Sequence, residues 1–186
     1  MTNQPYKPPL IIDIRKQLPT ANLVLRRFRK MAAITRIVVH IDDVRAHMAY
    51  EPVQRYIEQA HYHIKGRNWN DDPKGPWIPG FGIMHHYKIS APGRIYLTQP
   101  EGLKTWHSAS WNPESLAICC DAAAHEEPTQ AQLTALHALL MHLCYHRPDI
   151  PAGRADVYGH TEEPSTTKPC PAHFLPYVQQ FRKGEW

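Results

Sequence analysis

The chain has 186 residues, 42% of them hydrophobic and 20% charged, with a formal net charge of +4. That length fits one domain with a real core rather than two. No apolar run reaches the roughly 18 residues of a membrane span, the charge is too mild to imply a nucleic-acid partner, and four cysteines are too few for a disulfide scaffold at this size.

Residues 1–30 are read as an N-terminal arm with one short helical segment. It carries a basic cluster, Arg26, Arg27, Arg29 and Lys30, either a solvated face or a weak contact for an anionic envelope surface. The start MTNQPYKPPLIIDIRKQLP lacks the basic, apolar and small-residue zones of a secretory signal, so a cytoplasmic location is expected.

ITRIVVHI (34–41) is rich in β-branched residues and apolar on both faces, which predicts a buried central strand with His40 near its C-terminal end. In open α/β sheets that end is where ligands bind. EPVQRYIEQAHYHIKG (51–66) reads as a helix that starts on Pro52 and stops at Gly66. His61 and His63 are two apart on it and make a poor metal pair. NDDPKGPWIPG (70–80) is a loop. IMHHYKIS (83–90) and RIYLTQ (94–99) read as two strands of a hairpin around the turn APG.

SLAICCDA (115–122) is a further strand, in which Cys119 and Cys120 point to opposite faces. Thr129 caps a helix with Leu133, Leu136, Leu140 and Leu143 on one stripe, and Pro148 ends it. ADVYGH (155–160) is a last short strand. The sum is an α/β single domain, a central mixed β-sheet flanked by helices.

Thirteen histidines are compatible with metal chemistry without proving it. In GHTEEPSTTKPCP (159–171), His160 and Cys170 close one loop with Lys168 between them. With His40 they would give zinc two imidazoles and a thiolate, leaving a fourth position for water, as catalytic zinc sites do. A buried cysteine is also a common apolar filler, and a strand-end histidine is often a hydrogen-bonded core residue.

The order ITRIVVHI, MHHYKISAPGRIY, TWHSASWNPESLAI, PTQAQLTAL and YGHTEEPSTTKPCP resembles the zinc-dependent N-acetylmuramoyl-L-alanine amidases. These form the amidase-2 family, whose fold is shared by the peptidoglycan recognition proteins. The likeness spans roughly residues 31–180, within an expected catalytic domain of residues 31–182. It implies Zn²⁺ on His40, His160 and Cys170, with Lys168 as a catalytic residue, and peptidoglycan as substrate. It also implies that His107 lines the substrate groove, with Trp106 beside it.

Two departures stand out. Phage-lysozyme-type members carry a catalytic Tyr where this chain has His85, and His86 matches the histidine that follows that Tyr. Other members use a Glu in the strand where this chain has Cys119. His85 is a sensible acid/base substitute, because imidazole titrates near neutrality; Cys119 is the other place where compensation could lie. The resemblance implies cleavage of the bond between N-acetylmuramic acid and L-alanine by a monomeric, phage-type endolysin. The alternative is a non-catalytic recognition module of the same fold. A recycling amidase ranks last, since its Asp ligand and Glu are both missing.

Overall fold

Alternation along the central strands gives the sheet two unlike faces. In the computed structural model, which describes residues 6–21, 27–43, 51–69, 74 and 76–186, eight strands appear. They are β1 (Ile11–Asp13), β2 (Arg27–Phe28), β3 (Arg36–Ile41), β4 (Tyr87–Ile89), β5 (Ile95–Leu97), β6 (Leu103–Lys104), β7 (Ser115–Cys120) and β8 (Val157–Gly159). Six of them form one mixed sheet in the order β1-β5-β4-β7-β3-β8, and β2 pairs with β6 apart from it. β3 lies parallel between β7 and β8, and β4 and β5 form the antiparallel hairpin.

Ile37, Val39 and Ile41 of β3, with Leu116, Ile118 and Cys120 of β7, point to one face. There they meet α2 (Gln130–Tyr145) and α3 (Leu175–Lys183). Leu136, Leu139, Leu140 and Leu143 of α2 are fully buried, each contributing roughly 1.5–3 kcal/mol. α2 starts as its sequence requires: the Thr129 hydroxyl accepts from Gln132 N at 3.0 Å, and Gln132 Oε1 accepts from Thr129 N at 3.1 Å. This satisfies two donors that an uncapped helix would leave open.

On the other face α1 (Pro52–His61) lays Tyr56 and Ala60 against Ile14, Leu18, Ile83 and Tyr96. The chain continues as a wider π turn, Tyr62–Gly66, in which the buried His63 donates from Nδ1 to Gly82 O at 3.0 Å.

Three expectations change. Part of the expected arm is structural: β1 pairs in parallel with β5, and Ile14 and Leu18 enter the core. Arg29 is no surface cation, since it donates to Asn112 O at 2.6 Å and Ser115 O at 2.5 Å; Arg26 lies outside the described residues. The strand expected over 83–90 is only Tyr87–Ile89, because Ile83 O accepts from the Gln99 side chain instead of a neighbouring strand.

Candidate metal centre and cleft

His40 is the fifth residue of β3 and points away from the α2 face. In register beside it stand Cys119 of β7 and, one strand further, Lys88 of β4. His160 follows β8 directly, in a 3-10 turn over His160–Glu162. The loop to Cys170 is folded back by Thr161 N donating to Cys170 O at 2.5 Å. Gly159 is required here: a Cβ on it would lie 2.7 Å from both Leu175 Cδ1 and Pro171 Cδ. Glu163, almost wholly buried, ties this loop to the next one by accepting from Ser110 Oγ and Ser165 Oγ, both at 2.6 Å.

One ligand atom each from His40, His160 and Cys170 lies within 4.8 Å of the other two. His40 Nδ1 and Cys170 Sγ are 3.8 Å apart. A tetrahedral zinc with bonds of about 2.0 Å to nitrogen and 2.3 Å to sulfur would separate those atoms by roughly 3.6 Å. The donor set and its spacing therefore fit that ion.

Burial pushes the His40, His85 and His107 imidazoles well below the ordinary histidine range. Neighbouring imidazoles add to this, as does Lys168 at His40 and Lys88 at His85. Burial and the Lys168 ammonium lower His160 too. At neutral pH these rings are uncharged, each with a lone pair free to coordinate or accept. Burial lifts the Cys170 thiol to about 11, against the pull of Ile41 N–H and Lys168. A bound cation would reverse that shift and deprotonate the thiol.

These groups sit in a cleft of about 1010 Å³ lined by His40, His85, Trp106, His107, His160 and Lys168 among others. Lys168 is exposed at the rim. The His85 ring centroid is 5.1 Å from that of His40, and its buried Nδ1 has no hydrogen-bond partner among the described residues. His86 turns the other way: it is wholly buried, accepts at Nδ1 from Ala117 N and donates from Nε2 to Leu103 O. Cys119 is fully buried and lines no part of the cleft.

Trp106 lines the wall and packs edge-on against Trp69 at 5.9 Å. Trp111 instead packs with Tyr158 beneath the Arg36 guanidinium. His107 reaches the cleft, but both ring nitrogens have protein partners, His40 Nε2 and Ser115 Oγ, each at 3.0 Å.

Under the centre lies an ion cluster that sequence reading missed. Lys88, fully buried, is 2.8 Å from Asp42 Oδ2 and 3.2 Å from Asp121 Oδ1, and Arg55 reaches Asp42 at 2.7 Å. Burial alone would lower the Lys88 ammonium, but Asp42, Cys119 and Asp121 outweigh it and hold it above the ordinary lysine range.

Solved structures share this fold over nearly the whole chain. The endolysin N-acetylmuramoyl-L-alanine amidase LysCS from Clostridium intestinale is 20% identical, with 96% of each chain covered and a TM-score of 0.64. Peptidoglycan recognition protein-LE, solved with tracheal cytotoxin, a monomeric diaminopimelic acid-type peptidoglycan, is 18% identical over 91% of this chain and 92% of that one, with a TM-score of 0.70. Drosophila peptidoglycan recognition protein SD is 16% identical over 94% of both, with a TM-score of 0.69. No curated protein sequence matches. The family model for N-acetylmuramoyl-L-alanine amidase, Amidase_2, matches residues 30–173, a span that holds the three metal-ligand candidates, Lys168, His85 and His107, and the chain belongs to that family.

Proposed function

We propose that this amidase is zinc-dependent and hydrolyses the amide joining N-acetylmuramic acid to L-alanine in peptidoglycan. The observation that carries the reading is the convergence of the His40, His160 and Cys170 donor atoms in the cleft. Zinc held there would supply Lewis acidity toward the scissile carbonyl and an acidified water.

The chain's own groups do the rest. Water adds to the carbonyl carbon, and the Lys168 ammonium at the rim stabilises the charge that develops on the carbonyl oxygen; one well-placed donor contributes about 3–4 kcal/mol. The C–N bond then breaks and the leaving nitrogen takes a proton. His85 would take that proton from the attacking water and pass it to the nitrogen; its neutral ring, its place in the cleft lining and its position beside His40 support this role. The burial of Cys119 away from the cleft lining supports that choice. Trp106 offers an aromatic wall to a sugar or peptide stem.

The shared fold of a clostridial endolysin supports a phage-type lytic role, and we infer that the enzyme acts as a monomer and reaches the wall from the cytoplasm. Arg27 and Lys30 remain exposed for a weak envelope contact.

The test is digestion of purified peptidoglycan with and without a chelator, followed by mass spectrometry. Stem peptides beginning at L-alanine should appear, vanish with the chelator and return with zinc. His85→Ala should retain zinc and lose roughly 10²–10⁴-fold in turnover; an unchanged rate removes His85 from the mechanism. Binding without release of peptides would make the protein a recognition module.

A further inference from the structure

The contacts of His107 determine which nitrogen carries each proton in its neighbourhood. Ser115 has one hydroxyl hydrogen and donates it to Trp111 O at 2.7 Å. A carbonyl can only accept, so Ser115 Oγ must in turn accept from His107 Nε2–H, 3.0 Å away. His107 Nδ1 then bears a lone pair, and across 3.0 Å it can only accept from His40 Nε2–H. That leaves His40 Nδ1 unprotonated, on the side of the ring facing Cys170 Sγ.

Every link is held from outside. Ser115 is fully buried, His40 is 2% exposed and His107 8%. Asn112 Oδ1 accepts from His107 N at 2.8 Å and Ser108 N at 2.7 Å, fixing the turn. Arg29 clamps the segment from that turn into β7 through Asn112 O and Ser115 O.

We propose that His107 is a positioning residue for the metal centre: with Ser115 it locks His40 in the tautomer and orientation that present Nδ1 to the ion, and it does not bind substrate. The inference rests on the metal-centre reading above. A neutral imidazole has two tautomers, and only the one protonated at Nε2 can ligate through Nδ1. A partner on the far nitrogen selects that tautomer in advance and holds the ring plane, and such partners typically govern 10–100-fold in metal affinity.

The experiment measures metal rather than turnover. Zinc affinity of the full chain is obtained by competition with a chromophoric chelator, and the absorption spectrum is recorded with cobalt(II) in place of zinc. His107→Leu should bind zinc about 10–100-fold more weakly, with shifted cobalt bands. His107→Asn, whose Oδ1 can accept where Nδ1 did, should recover to within a few-fold of the parent. Ser115→Ala should fall between them, because it frees His107 to take the wrong tautomer. Parental zinc affinity and cobalt spectrum in His107→Leu and Ser115→Ala, with turnover reduced, would overturn the proposal and make His107 a substrate contact. If the unaltered protein bound no zinc, the metal reading itself would fall, and this inference with it.

Discussion

The two faces of the central sheet are built from the same strands, yet they obey opposite rules. Toward α2 and α3 the side chains of β3 and β7 are aliphatic, apart from Cys120, and are packed without polar partners. One residue along, the side chains include His40, Cys119 and Ser115, next to Lys88 of β4, and each of these four answers to a specific hydrogen bond or charge. The first face tolerates any filler of the right volume. The second fails if one partner is removed, since a buried polar group without its mate costs more than the pair contributes. Strand alternation thus puts the aliphatic core on one face and the buried polar groups beneath the cleft on the other.

Breaking the polar face at its centre should have the largest effect. His160→Ala should cut peptidoglycan hydrolysis by more than roughly 10³-fold with little change in melting temperature of the metal-free protein; equal activity would dissociate the loop from the reaction. Lys88→Met should act on folding instead. It removes one buried cation from Asp42 and Asp121 and leaves them to Arg55 and the Tyr56 hydroxyl, and denaturant unfolding should report a loss of about 3 kcal/mol.

Leu136→Ala, on the apolar face, should lose about 3 kcal/mol through its cavity, with turnover per folded molecule unchanged. A loss of turnover as well would mean the faces are coupled. Acid gives the most selective challenge. Burial holds His63 at about 4 and His86 at about 3, both below the ordinary value of 6.5. The unfolded chain therefore takes up protons first as pH falls below about 6.5. Stability is intact above that pH and should decline by roughly 1 kcal/mol per histidine per pH unit down to about 4. Urea melts at pH 7 and pH 5 measure it, and a flat profile would place both rings in water.

Sequence legibility followed the same division. β3, α2 and the β4–β5 hairpin were readable because long apolar periods and a capping box carry their own signal. β1, three residues long, and β2, two, show no period at all, so their place in sheets was hidden. The order of motifs singled out His40, His160 and Cys170, which the fold does bring together. It could not reveal what lies between strands. Lys88 looked like any strand lysine, and Arg29 like part of a solvated basic run. His107 was legible as a groove residue, and it does line the cleft, but its ties to Ser115, eight positions on, and to His40, sixty-seven positions back, were not. Cross-strand neighbours are set by register, which a single chain does not spell out.

The edge strand β1 has a practical consequence. The family match begins at residue 30, so a minimal domain would naturally be cut there. Such a cut would remove the strand that covers Ile95–Leu97 and the two residues, Ile14 and Leu18, that seal the core beneath Tyr56 and Tyr96. The exposed rim would then be an open row of amide donors and acceptors beside apolar side chains, a template for strands of other molecules. Trimming the protein to its recognisable motif would convert a well-behaved domain into one that self-associates into insoluble material.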